Sequence, residues 1–471
     1  MSDGARMTRD VPNPVPTPAC AFDGAAGGLP PGPDLTVREQ AFAWFSRPYA
    51  LLDECASRYG DRFTLRVPGW GTPVVVFSDP DGIREIFTAP PEDMRAGSAN
   101  AYIAPIFGGH SLLLLDGDAH LRERKLLLPA FHGARLSAYG RVIQDITRQA
   151  CAAWPEDTPF AALEALLGIS LEVILRVVFG LDAGEERYAR VRQAVIRLVE
   201  TVAASIAWAG SASGGTRSEF RSVSAELDEL LASECAARRA SPASLRSDVL
   251  QLLLEARHPD GSALSDRELR DELVTLLLAG HETTGTGLAW TLVLLSRHPD
   301  VEGRLRASLD ELGPGPEPVA LDRHPYLRAV VDEVLRLRPV VPAVSRELTR
   351  SRKVAGMALE PGTVLSPCAY LAHRRAATFG DPECFRPERF VDAAFSPYQY
   401  LPFGGGVRRC VGMGLALYEM KLVFAEILRT FTFEVAGDPP RPVRRTSIVG
   451  PSGGARMILR RRPQTKENAH G

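Results

Sequence analysis

Between Ser265 and Pro299 the sequence reads as a single long helix with its start and stop written in. Ser265 and Glu268 form an S-x-x-E capping box, which satisfies the first free amides of a helix. Pro299 follows the end, where a residue without an N–H interrupts the pattern. Roughly 32 residues lie between, about 48 Å of helix at 1.5 Å per residue. Its two halves, LVTLLL and LAWTLVLLS, are apolar, and its middle reads AGHETTGTG. Glu282 and the polar cluster at the centre exclude a membrane span. The rod therefore crosses a water-soluble protein, with its weakest helix formers at the midpoint. Glycine lowers helix stability there, and threonine can bond back to the preceding turn and bend it. On this segment alone two readings stay open: a kinked core helix with satisfied hydroxyls, or a functional centre.

The chain has 471 residues, enough for a substantial core in one large domain or in two or three average ones. Hydrophobic residues make up 45% and charged residues 24%, as in soluble globular proteins. A formal net charge of −2 gives no reason to expect nucleic acid or an anionic membrane as partner. The seven cysteines, at 20, 55, 151, 235, 368, 384 and 410, include no CxxC pair. That argues against a disulfide framework or zinc knuckle and for free thiols in a reducing cytoplasm. The N-terminal stretch lacks an apolar run of signal-peptide or anchor length. Residues 1–34 read as a disordered Pro/Gly-rich lead, 35–462 as a single folded body, and 463–471 as a polar tail.

An early helix is expected over Arg38 to Tyr59, followed by a β-hairpin in TLRVPGWGTPVVVFSDP. Helical periodicity dominates from about Ala119 to Glu311. LEALLGISLEVILRVVFG within it is apolar nearly all round, as a buried helix would be. GSASGG at 210–215 separates two helices and is expected to make a mobile connection. Strand and turn character appears in ELTRSRKVAGMALEPGTVLSPC. The fold class is mainly α with a small β region.

The most distinctive short stretch is FGGGVRRCVG at 403–412. A phosphate loop would need GK[ST], and a redox pair a second nearby cysteine; both are absent. A protease nucleophile would need a positioned histidine, which the neighbouring residues do not suggest. A large planar anionic ligand fits better. Gly404, Gly405 and Gly406 let backbone approach closely and aim amides at a sulfur anion. Gly412 removes a side chain where a flat macrocycle would lie. Arg408 offers a fork donor for a carboxylate. A helix follows, so Cys410 precedes a helix N-terminus, favourable for a thiolate.

The stretch matches F-x-x-G-x-R-x-C-x-G in full and resembles the haem-binding signature of the cytochromes P450. The resemblance covers roughly residues 30 to 460. It implies the cytochrome P450 fold, with haem between the long central helix and the cysteine loop and its following helix. Cys410 would be the axial ligand of the iron in haem b (iron protoporphyrin IX), a thiolate that favours O–O cleavage. Phe403, Gly406, Arg408 and Gly412 would belong to the same haem-binding segment. PYLRAVVDEVLRLRP and FRPERF are similar to two further family elements, so Glu333, Arg336 and Arg389 would form a structural Glu-Arg-Arg cluster. AGHETT is similar to the family's oxygen-activation motif. Ala279 and Gly280 would open a groove for dioxygen, Thr283 would hydrogen-bond the oxygen being activated, and Glu282 would deliver protons through water. HLRERKLLLPAFHG resembles the helix that reaches a haem propionate. His120 and Arg124 on it, Arg346 in PAVSREL, and Arg408 are the candidate propionate partners. Arg122 and Lys125 are read either as a solvated basic face or as part of a docking surface for an electron donor.

By the same resemblance the chain would be a soluble monooxygenase. O2 is its co-substrate, and NAD(P)H supplies electrons indirectly through ferredoxin or flavodoxin with its reductase. Ile103, Ile106, Phe107, Ala279, Val341, Val344 and Ile448 are candidate pocket residues. They are apolar and imply a hydrophobic small-molecule substrate: a fatty acid, a terpenoid or another natural-product intermediate. The alternative is a peroxide-driven haem enzyme, a haem isomerase or a binding protein of the same fold. A cysteine hydrolase on a helical scaffold is a further class, and it would show no visible absorbance.

Overall fold

The computed structural model describes residues 28–67, 73–181, 184–207, 214–240, 248–445 and 447–462. The central helix runs over Asp266–Leu295, 30 residues without interruption. Its capping box forms as the sequence implies. Ser265 N–H donates to Glu268 Oε2 at 2.8 Å, and Glu268 N–H donates to Ser265 Oγ at 3.3 Å. Thr283 Oγ1 donates back to Ala279 O at 2.8 Å and Thr284 Oγ1 to Gly280 O at 3.0 Å.

The glycines of the middle segment serve helix packing. A Cβ at Gly285 would stand 2.9 Å from Leu167 Cα, and one at Gly280 2.7 Å from Ile174 Cδ1. Both neighbours belong to the apolar helix Ala162–Phe179. A Cβ at Gly287 would come within 3.0 Å of Met420 Cε, on the helix Met413–Thr430 that follows the cysteine. Absent side chains let three helices approach closely, since interaxial distance is set by the residues at the crossing. Most of the buried apolar residues form one cluster around these helices.

The main sheet has five strands: β1 (Arg62–Leu65), β2 (Val74–Phe77), β3 (Met94–Arg95), β4 (Arg346–Leu348) and β5 (Val364–Pro367), in the order β1-β2-β5-β4-β3. β1 and β2 pair antiparallel, as the hairpin reading requires, and β2 pairs parallel with β5. Phe160–Ala161 is a short strand inside the region read as helical. It pairs with Arg456 and Met457 at the edge of a small three-stranded sheet.

Two expectations are corrected. The early helix is two helices, Val37–Ser46 and Pro48–Tyr59. Arg47 between them has φ −146° and ψ 59°, because a residue before proline is pushed out of the helical region. Pro48 then opens the second helix, the position proline favours. The lead also ends earlier than residue 34. Pro31 O accepts from Thr64 N–H at 2.9 Å and Pro30 O from Thr64 Oγ1 at 2.6 Å, which ties this segment to β1. Residues 1–27 and the tail 463–471 lie outside the described residues. So does most of the GSASGG connection, except that Gly214 and Gly215 already begin the helix Gly214–Ala240.

Burial gives one clear pH signature. Glu419 is almost wholly enclosed in the helix after the cysteine, and desolvation pushes its pKa up to about 8, with the Ser170 hydroxyl pulling slightly back. The folded chain therefore keeps this proton while an unfolded chain loses it above pH 4.5. Stability falls as pH rises through that window and levels off above about 8. Glu419→Gln should remove that part of the slope, at most about 1.4 kcal/mol per pH unit. Urea denaturation of both proteins at pH 5 and pH 8 checks this.

Candidate active site

Cys410 sits one residue before the turn that starts the helix Met413–Thr430. Its own N–H donates to Phe403 O at 3.0 Å, closing the loop on itself. Cys410 is solvent-accessible although protein surrounds its thiol, so the sulfur borders space within the fold. Burial raises the thiol pKa, while the Gly412 and Met413 amides and the charges of Arg124 and Arg409 lower it. Those amides belong to the first turn of the following helix, so the helix N-terminus does aim donors at the sulfur. Gly412 has nothing closer to its missing side chain than Cys410 Sγ, at 4.0 Å.

The three consecutive glycines do something other than expected. A Cβ on Gly405 would lie 2.2 Å from the Phe87 ring, and one on Gly406 would lie 2.4 Å from Phe87 O. Gly404 and Gly406 also have φ of +66° and +64°, where a side chain is strained. The triplet thus seats the loop against the end of the helix Pro80–Phe87. The sulfur-directed amides come from the other side of the cysteine.

His120, Arg346 and Arg408 line one cavity together with Asp116, Phe87, Gly405 and Val407. His120 lies on the helix Gly117–Leu127 and is buried. Burial, then Arg408 and Arg124, push its pKa down to about 3, so it is neutral and carries one N–H. Arg346 begins β4 and is 7% exposed. Its guanidinium donates only to carbonyls, Ser345 O at 2.8 Å and Gly405 O at 3.4 Å, and lies 5.7 Å from the Phe87 ring centroid. Burial and then Arg408 lower its pKa to about 10. Arg408 donates to Leu112 O at 3.0 Å and pairs with the Asp116 carboxylate. Arg124 has no carboxylate within salt-bridge range among the described residues, and burial lowers its pKa. Among the described residues Asp116 is thus the one acid facing this cationic group. It was not singled out in the sequence, and as a residue before a helix it would have been read as a cap. Its oxygens instead accept from Gly97 N–H at 2.8 Å and Ser98 N–H at 3.0 Å.

The Glu333, Arg336 and Arg389 side chains do meet. Arg336 donates to Glu333 through Nε at 2.7 Å and NH2 at 2.8 Å, and Arg389 Nε adds a third bond at 3.1 Å. Remaining guanidinium donors go to the carbonyls of His373, Pro382 and Cys384. His373, which sequence reasoning gave no role, connects this cluster to the cysteine loop. Its Nδ1 lies 3.2 Å from Arg336 O, and its Nε2 accepts from Leu401 N–H at 2.9 Å. The Leu401 bond assigns the proton to Nδ1. Burial, then Arg336, push its pKa down to about 3 and keep it neutral.

On the central helix, Ala279 is exposed, while Glu282 and Thr283 are half-buried, so this face borders open space. Gly280 turns its open side to Ile174, which assigns it to packing. Ile103, Ile106, Phe107, Val341 and Val344 are partly exposed. Ile448 is only 2% exposed, unlike these five. Its carbonyl accepts from Arg445 N–H at 3.1 Å.

The cytochrome P450 family model matches residues 30–459. A protein assigned as cytochrome P450 135B1 in Mycobacterium tuberculosis is 40% identical over 440 residues, 92% of each chain. Another from that organism, assigned as cytochrome P450 137, is 37% identical over 409 residues, covering 86% of this chain and 84% of its own. Among solved structures, cyanobacterial CYP120A1 with retinoic acid bound superposes with a TM-score of 0.82 at 25% identity, covering 92% of this chain and all of that one. The heme domain of cytochrome P450DA has the same TM-score at 23% identity and shares the fold. The fold and the cysteine loop are those of haem-thiolate proteins. The chain belongs to the cytochrome P450 family.

Haem fits the residues present. A thiol faces inner space with two amides aimed at it, and a buried guanidinium without a carboxylate lines a cavity beside a neutral histidine. A dianionic planar ligand would answer both features: carboxylates for the cations, and a metal for the sulfur.

Proposed function

We propose that the chain is a monooxygenase that inserts one oxygen atom from O2 into a C–H or C=C bond of a hydrophobic molecule. Bound haem supplies an iron centre at which dioxygen is cleaved with two electrons and two protons. Cys410 serves as the thiolate, its charge held by the Gly412 and Met413 amides. His120, Arg124, Arg346 and Arg408 hold the carboxylates and orient the ring. Glu333, Arg336 and Arg389, through His373, keep the loop in register. The observation that carries the reading is the acid–alcohol pair Glu282–Thr283 on the half-open face of the central helix. Thr283 has its own proton committed to Ala279 O, so its oxygen lone pairs are left to accept a hydrogen bond from a water or a protonated oxygen beside it and hold that proton in place. Glu282 exchanges protons with water.

Electrons come from separate ferredoxin or flavodoxin proteins and their NAD(P)H-dependent reductase. Arg122 and Lys125, exposed on the His120 helix, supply basic charge for docking. The protein works in the cytoplasm; among the described residues no helix is long and apolar enough to cross a membrane. The partly exposed Ile103, Ile106, Phe107, Val341 and Val344 favour an apolar substrate, a fatty acid or terpenoid among them. Retinoic acid, carried by the structural relative, is of this apolar kind.

The test is turnover with a surrogate ferredoxin and reductase, scored by oxygen incorporation from 18O2. Thr283→Ala should bind haem normally and consume NAD(P)H, yet yield about 100-fold less product per electron, within the range removed with a proton-transfer group, with peroxide making up the difference. Coupling equal to the wild-type protein would remove Thr283 from the proton path. Label arriving from peroxide and not from O2 would favour the peroxide-driven alternative.

A further inference from the structure

Glu123, His258 and Glu268 meet where the His120 helix passes the start of the central helix. One carboxylate oxygen from each glutamate and one imidazole nitrogen lie within 4.8 Å of one another. Glu123 is one residue before Arg124 on its helix. His258 sits in a tight loop closed by its own bonds with Ser262 O and Gly261 N–H, both 2.9 Å. Glu268 belongs to the first turn of the central helix.

The three side chains are not satisfied by one another. Glu123 is 6% exposed, and its Oε2 is buried without a hydrogen-bond partner. Such a group costs free energy unless something compensates it. His258 Nε2 lies 3.3 Å from Glu268 Oε1, so the single imidazole is already shared with the other acid. Glu268 Oε2 is held by Ser265 N–H and Oγ–H at 2.8 and 2.7 Å, which leaves Oε1 turned toward the histidine and Glu123. Nearby Asp271 is taken by Arg270 at 3.0 Å and by the His110 amide at 2.9 Å.

We propose that Glu123, His258 and Glu268 form a binding site for a divalent cation, with Zn2+ the best match. Two carboxylates and one imidazole are ligands that zinc accepts, with water completing the shell. A 2+ ion neutralises the two acids. Bond lengths of about 2.0–2.2 Å require the triad to close by about an ångström. His258 and Glu268 can supply that movement, being 18% and 23% exposed. Ser265 is the outer partner that fixes a ligand's orientation. The ion would tie the helix carrying His120 and Arg124 to the first turn of the central helix. The proposal does not depend on the haem reading.

Purified full-length protein, stripped with EDTA and dialysed, is titrated with ZnCl2 by calorimetry. Thermal unfolding is followed in parallel by far-ultraviolet circular dichroism. One Zn2+ per chain and a raised unfolding temperature are expected. Glu123→Gln, close to isosteric, and His258→Ala should each weaken binding by about 100-fold or more and abolish the thermal shift. Absence of saturable binding in the wild-type protein overturns the proposal. So does binding of equal strength in both variants, which would mean surface zinc only.

Discussion

Glu333→Ala is expected to destabilise the folded chain by about 3–5 kcal/mol, the cost of stranding a buried charge. Glu333 and Arg336 are both 0% exposed. The glutamate accepts two bonds from Arg336, one from Arg389 and one from the Arg386 amide at 2.8 Å. Removing the carboxylate leaves two guanidinium ions in the interior facing only carbonyl oxygens. Against a typical total of about 5–15 kcal/mol the loss is large. Glu333→Gln keeps the volume but not the charge, and should lose nearly as much. Urea denaturation reads the effect as a lower midpoint at unchanged slope. A loss under about 1 kcal/mol would mean that the carbonyls of His373, Pro382 and Cys384 alone suffice for Arg336. Because His373 links Arg336 to Leu401, damage here should also loosen haem retention, visible as a reduced haem-to-protein absorbance ratio after gel filtration.

Cys410→Ser should abolish the strongly red-shifted carbon-monoxide band of the reduced protein and bring product formation to background. A serine hydroxyl does not ionise near neutral pH, so the Gly412 and Met413 amides would have no thiolate to hold. Folding should survive, since the sulfur faces inner space and the exchange is small. Among the other described cysteines, Cys55 and Cys235 have pKa values pushed up by burial to about 11, and Cys151 and Cys368 to about 12. These are inert core thiols. Cys384 alone of them is exposed, and the loop that carries it lends its carbonyl to Arg336 and Arg389. A red-shifted band that persisted in Cys410→Ser would therefore move the ligand to another cysteine, with Cys384 the first to test.

Much of this architecture is legible in residue pattern because local rules carry it. The capping box at Ser265 forms as read, and so does the β1–β2 hairpin. The Glu-Arg-Arg cluster is legible for a different reason: its members stand in segments similar to family elements. What sequence reading misses depends on partners far along the chain. Glycine at 405 reads the same whether its bare face meets sulfur or Phe87, more than 300 residues earlier; only the folded contact distinguishes them. Asp116 looks like a helix cap until Arg408 arrives beside it. Ile448 has the composition of a pocket wall, but only the folded chain shows that it is buried while the other candidates are partly open. Proline 48, by contrast, was a local signal that breaks the early helix and could have been used.

The glycines of the central helix carry a consequence for adaptation. With Gly280 and Gly285 set against one neighbouring helix and Gly287 against another, the rod behaves as a keel and not as a hinge. A bulkier guest cannot be admitted by pushing it aside, because both flanks are already at closest approach. On the proposed function, breadth of substrate range would have to come from the two short helices Ala101–Ile103 and Ala104–Phe107, in which no residue is buried. Variation there would leave the packed glycines of the central helix untouched.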